Sequence, residues 1–195
     1  MSFSKAKPRK QIHSRNIVCH GYLREDGLWD IEGSILDTKT YFFENIDRDG
    51  IAPGEPIHHM TIRLTVDNNL VIRSIEANTS SSPYLICPDA VKVYSKLKGL
   101  QIGPGWRREM KKRIGASNGC THISDLIVGP LAVTAYQTII PKIQKKSGKT
   151  QKSRKKPLHI NRCHALKDSS PIVKRDWPEY YQKPQNYKLA ASKKC

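Results

Sequence analysis

Cys120 and His122 stand two residues apart in Asn118-Gly119-Cys120-Thr121-His122, Cys163 and His164 are adjacent, and Cys87 precedes Pro88-Asp89. Thiols and imidazoles ligate soft metals, and a thiol beside an imidazole is also the pair from which cysteine nucleophiles are built. Two chemistries follow. In the first, Cys120, His122 and Cys87, joined by Cys163 or His164, hold a metal such as zinc or handle an iron–sulfur cluster. In the second, Cys120 is a catalytic nucleophile, His122 its base, and Asp125 or Asp89 orients the base. Cys19 reads as a core filler, because free cysteine is among the most buried residue types. His58 and His59 precede a strand, one facing inward and the other outward. Arg63 lies on the polar side of an apolar alternation and is expected to pair with Glu76 or Asp30.

The elements that must position these groups fall into two kinds. Residues 17–77 carry strand signals: alternation over Asn16–Arg24, the turn Asp26-Gly27, and renewed alternation from Leu28 to Ile35. Met60, Ile62, Leu64 and Val66 then share one strand face, Asp67-Asn68-Asn69 turns, and Leu70–Ala77 returns. Asp47–Pro56 is a Gly, Pro and Asp-rich loop. Residues 88–140 carry helix signals. Pro88 suits a first helical position, which places Cys87 at the N-cap. Gly103-Pro104-Gly105 precedes a basic helix over Trp106–Ile114, ended by Gly115. Thr121 is the expected N-cap of a third helix that Pro130 should kink. A helix N-terminus favours thiolate over thiol, so Cys87 and Cys120 are expected to be activated. At i+2 Cys120 and His122 share no regular helical face, but at a capped helix start their side chains can converge.

Near the C-terminus, His159–Leu166 and Pro171–Arg175 flank the turn-rich Lys167–Ser170 and predict a third hairpin. Within a regular strand Cys163 and His164 would point to opposite faces, so at most one joins a shared site. The predicted fold class is therefore α+β. An antiparallel sheet of two N-terminal hairpins is packed by about three helices, with a C-terminal hairpin after a basic linker. The expected layout is a basic disordered arm (1–15), a globular α+β domain (16–141), a Lys-rich linker (142–156), a C-terminal hairpin packing on the domain (157–180) and a tail (181–195).

The 195 residues carry a formal charge of +17, and its placement matters more than its size. Residues 1–18 hold five basic groups and no acid and residues 142–162 hold nine and no acid, whereas residues 19–141 carry thirteen basic against fourteen acidic. The flanks at 1–18 and 142–162 are thus expected to attract nucleic acid or another polyanion without specifying a sequence. No apolar run of signal-peptide length follows the basic N-terminus, and eighteen consecutive apolar residues occur nowhere. No membrane partner and a cytoplasmic setting are expected, and five scattered cysteines fit reduced thiols. Phosphate-loop, dinucleotide, nucleophile-elbow and His-Glu-x-x-His motifs are absent, and without Cys-x-x-Cys a zinc site would have to assemble from distant segments.

Several motifs together carry a resemblance. The run Tyr22-Leu23-Arg24-Glu25-Asp26-Gly27-Leu28-Trp29-Asp30-Ile31-Glu32-Gly33 is joined by Gly54-Glu55-Pro56-Ile57-His58, Gly103-Pro104-Gly105-Trp106, Gly119-Cys120-Thr121-His122 and Cys163-His164-Ala165-Leu166. Over about residues 9–180 the chain resembles a proteobacterial domain-of-unknown-function family, which implies a bacterial origin and a one-domain layout but no particular reaction. The order Cys87-Pro88-Asp89, Gly119-Cys120 opening a helix, and a final Cys163-His164 pair is more loosely similar to iron–sulfur scaffold proteins. That likeness implies Cys87, Cys120 and Cys163 as thiolate ligands, with Asp89, His122 or His164 completing or releasing the site. The final pair stands here in the reverse order and beyond the helices.

Overall fold

A computed structural model describes residues 3–115, 117–146, 156–157 and 159–183. The chain divides into two compact units, Met1–Ser147 and Gly148–Cys195.

In the first unit four strands, β1 (His13–Leu23), β2 (Trp29–Lys39), β3 (Pro56–Val66) and β4 (Ile72–Ser81), form one antiparallel sheet in the order β1-β2-β3-β4. Local turns drive this meander. Gly27 takes φ 81° between β1 and β2, and the Asp26 carboxylate accepts from the Leu28 N–H at 3.2 Å. Between β3 and β4, Asp67 accepts from the Asn69 and Val71 N–H groups at 2.8 and 2.9 Å. Leu70 there adopts φ 61°, so the return strand starts at Ile72, two residues later than the alternation predicts. Between β2 and β3, the expected loop contains a 3-10 turn at Ile46–Arg48.

The strand period of two sorts side chains by face. Trp29, Ile31 and Ile35 of β2 and Met60, Ile62, Leu64 and Val66 of β3 are buried beneath the helices. On the opposite face Arg63 bridges Glu32 at 2.7 Å and Glu76 at 3.5 Å, so its main partner is Glu32, directly across the β2–β3 pair, and not Asp30.

Segment Cys87–Leu97 is helical as expected, but it is a 3-10 helix, and Cys87 is its first residue while Ile86 caps it. The basic helix α1 spans Trp106–Ile114 and buries Trp106, Met110 and Ile114. Helix α2 (Thr121–Leu126) is capped by Cys120 rather than Thr121. It passes through a π-helical turn, Ile127–Leu131, into α3 (Ala132–Lys146). Pro130 inside that turn has no N–H to donate, and the wider turn absorbs the missing bond that the sequence predicts as a kink. By length and composition the run Thr121–Ile143 would suffice to cross a membrane. Its Ile123, Leu126, Ile127, Leu131, Ala135 and Ile139 are fully buried, forming the core stripe against the sheet. Because α3 continues to Lys146, the first five residues of the expected linker are helical; residues 147–155 lie outside the described residues.

In the second unit the expected hairpin does not form. His164–Leu166 is a 3-10 turn and Pro171–Asp176 is a short helix, α4, whose N-cap Ser170 accepts from the Val173 N–H at 3.1 Å. Asn161, at φ 64°, bonds Asp168 through both its side-chain amide and its carbonyl oxygen, each at 2.8 Å. These side-chain bonds close a compact loop where a strand would need a ladder partner.

Candidate metal centre

Three polar side chains line up across the inner face at one end of the sheet. Strand pairing sets Arg15 opposite Asp37 and Asp37 opposite His58, just before a register shift between Asp37 and Thr38. The Asp37 side chain is only 1% exposed. Arg15 grips it with a two-pronged fork, Nε to Oδ1 and Nη2 to Oδ2, both 2.7 Å. His58 Nδ1 lies 3.0 Å from Oδ2, and His13 Nε2 3.6 Å from Oδ1. Burial alone would raise the Asp37 pKa, but the Arg15 fork, helped by the hydrogen bond to His58, outweighs it and leaves the carboxyl below its usual value.

An ionised carboxylate only accepts hydrogen bonds, so the proton between Asp37 and His58 sits on His58 Nδ1. Burial lowers the His58 pKa, and the adjacent His122 adds to the effect against the upward pull of Asp37. The ring is then neutral at pH 7, with a lone pair on Nε2. Burial likewise lowers the His122 pKa, with Arg15 acting the same way. The two rings stack with centroids 4.0 Å apart and planes at 34°.

His122 arrives from the start of α2, and its position is set by a local lock. Tyr94, 1% exposed, donates its hydroxyl to the Cys120 carbonyl at 2.7 Å and lies 2.9 Å from Ser124 Oγ. A Cβ on Gly119 would fall 2.9 Å from the Tyr94 hydroxyl and 2.8 Å from Ile114, so only glycine admits this approach. Cys120 caps the helix with its backbone and extends its sulfur to 3.8 Å from His122 Nδ1 and 3.9 Å from Met60 Sδ. Convergence at the capped start thus brings Cys120 and His122 together despite their i, i+2 spacing.

Ligand atoms of Asp37, His58 and His122 lie within 4.8 Å of one another, a spacing that one metal ion can bridge. A tetrahedral zinc with ordinary Zn–S and Zn–N bonds would separate its sulfur and nitrogen by roughly 3.5 Å, close to the Cys120–His122 distance. A cleft of about 530 Å³ opens beside the cluster and is lined by His58, Met60, Cys87, Asp89, Cys120 and His122 among others. Cys87 and Asp89 therefore share the cleft, but Asp89 pairs with Lys92 at 3.1 Å and is largely exposed. Cys163 and His164 belong to the second unit, where Cys163 is the exposed N-cap of a 3-10 turn and not part of a strand. His58 and His59 lie within β3, which starts at Pro56, rather than before a strand, and face opposite sides as the alternation predicts.

The residues absent from the expected ligand set are Asp37, Arg15 and Met60, with His58 given only a face. Strand parity places Asp37 on the Trp29, Ile31, Ile35 face of β2 and His58 on the Met60, Ile62 face of β3, without saying which residues they meet across the sheet.

Fold and site together define an α+β protein with a buried carboxylate–histidine cluster at a sheet end, facing a cleft that carries a thiol. Residues 13–137 match the model of DUF2889, a family of proteins of unknown function, and the chain belongs to that family. The match spans every residue of the cluster and stops short of Cys163 and His164. No curated protein and no solved structure matches the chain.

Proposed function

We propose that this is a metal-binding protein whose ion is held by His58 Nε2, His122 and Cys120, with Asp37 fixing His58 from behind. The observation that carries this reading is the fully buried Asp37, gripped by Arg15 and bonded to His58 Nδ1. Metal-ligating histidines commonly donate their second ring N–H to a carboxylate, which sets the tautomer and raises ligand basicity. Both Asp37 oxygens are occupied by Arg15, so the carboxylate serves better as that supporting group than as a ligand. The nitrogen-rich donor set with a single thiolate suits one ion such as zinc better than an iron–sulfur cluster, which draws mainly on cysteines. A cytoplasmic, reducing setting would keep Cys120 available as a thiolate ligand.

The test is metal analysis and Co(II) titration of the full chain after anaerobic purification. One ion per chain is expected, with its affinity lost in His122→Ala and Cys120→Ser and retained in Cys87→Ser. A folded protein that takes up no stoichiometric ion would defeat the proposal. Thiol labelling separates it from the cysteine-nucleophile reading, which uses the same pair: bound metal should shield Cys120 from alkylation.

A further inference from the structure

Met60 is completely buried on the inner face of β3, two residues from His58, so both side chains project over the same patch of the sheet. Its thioether sulfur lies 3.9 Å from Cys120 Sγ, and it lines the same cleft as both histidines. The donors lining this cleft include a cysteine thiol, two imidazoles and a thioether, and the thioether is the discriminating member. Zinc sites are built from cysteine, histidine and carboxylate, whereas thioether and thiolate together favour Cu(I), and a His₂Cys set with a weak methionine is a copper arrangement.

Resting on the metal-binding reading above, we infer that the ion is copper, taken by Cys120, His122 and His58 with Met60 as a weak fourth ligand. Arg15 and Asp37 hold the His58 ring in place. The inference needs no redox step; it concerns which ion the site selects.

The experiment compares the wild-type chain with Met60→Leu, a swap that keeps the volume of the buried side chain. Cu(I) affinity is measured anaerobically against a chromogenic Cu(I) chelator, and Zn(II) affinity against a zinc indicator. Thiols elsewhere in the chain add the same background to both proteins. Met60→Leu should weaken Cu(I) by roughly tenfold, as expected for one weak ligand, while leaving Zn(II) unchanged. X-ray absorption of the copper-loaded proteins should count two sulfur ligands in the wild type and one in the variant. Equal Cu(I) affinity in the two folded proteins, or one sulfur ligand in both, overturns the copper assignment while leaving a Zn(II)-binding site standing. Failure to bind either ion overturns both readings.

Discussion

At the scale of single residues, the site depends on one carboxylate placed where strand alternation calls for an apolar side chain. Asp37 sits in the row of Trp29, Ile31 and Ile35, and its burial is tolerable because Arg15 from the next strand neutralises it. Asp37→Asn should cost about 2 kcal/mol in urea unfolding at neutral pH, below the usual range for a broken buried pair because the half-exposed Arg15 can turn to water. The sign of the pH dependence follows from the directions of the shifts. Folding holds His58 and His122 below the 6.5 of a free imidazole, so the unfolded chain takes up protons that the folded chain resists. Stability of the metal-free protein should therefore fall on acidification from about pH 7 toward about 5, and His122→Ala should flatten that decline. The Asp37 contribution is present above its unfolded value near 3.8 and is lost only as pH drops through its lower folded value. Urea midpoints across this range check both. Cys120 and His122 were legible as a pair from their residue types and their place at a helix start. Asp37 and Met60 were not, since an acid or a thioether in strand register declares nothing until its cross-strand neighbours are known.

At the scale of elements, helix α3 and the π-helical turn rest directly on glycines of the sheet. A Cβ at Gly33 would meet Leu131 at 2.8 Å and Cys19 Sγ at 3.3 Å, and one at Gly21 would come within 2.1 Å of the Thr138 hydroxyl. These contacts seat the long helical run against β1 and β2, and that seat holds α2, and with it His122 and Cys120, over Asp37 and His58. Gly33→Ala should destabilise the fold by about 1–3 kcal/mol through overpacking, read as a lower urea midpoint with an unchanged slope. It should also lower metal affinity, because a helix that shifts carries two of the three ligands with it. The two N-terminal hairpins were legible because period-two alternation and strong turn residues agree over long stretches. The C-terminal segment carries hairpin signals yet folds into a turn and a short helix for a physical reason. Ile172 and Val173 favour strands, but Ser170 followed by Pro171 is a helix-start signal, and Ser170 does accept from the Val173 N–H. Short apolar runs leave periodicity undecided, and the cap decides.

At the scale of the whole molecule, most of the excess charge lies outside the site, Arg15 being the one basic residue of the 1–18 flank that the site uses. The first unit contains the entire candidate site, and residues 19–141 are close to neutral, so the excess of +17 resides in the flanking sequence. One basic surface does belong to the first unit: Arg107, Arg108, Lys111, Lys112 and Arg113 of α1 are all exposed. If the flanks serve to hold a polyanion, binding should be salt-sensitive, and most of that sensitivity should come from the lysine-rich stretch. Because α3 runs to Lys146, the informative deletion is residues 147–156, which removes five basic groups and spares the helix. Each phosphate neutralised on duplex DNA adds roughly 0.9 to the slope of log affinity against log salt, so the deletion should lower that slope by up to about four. The metal site should be unaffected, with the same Co(II) stoichiometry in both chains. A slope that does not change on deletion rejects a polyanion role for this stretch and leaves the exposed face of α1 as the basic surface to test next, by replacing Arg107, Lys111 and Lys112 with glutamine.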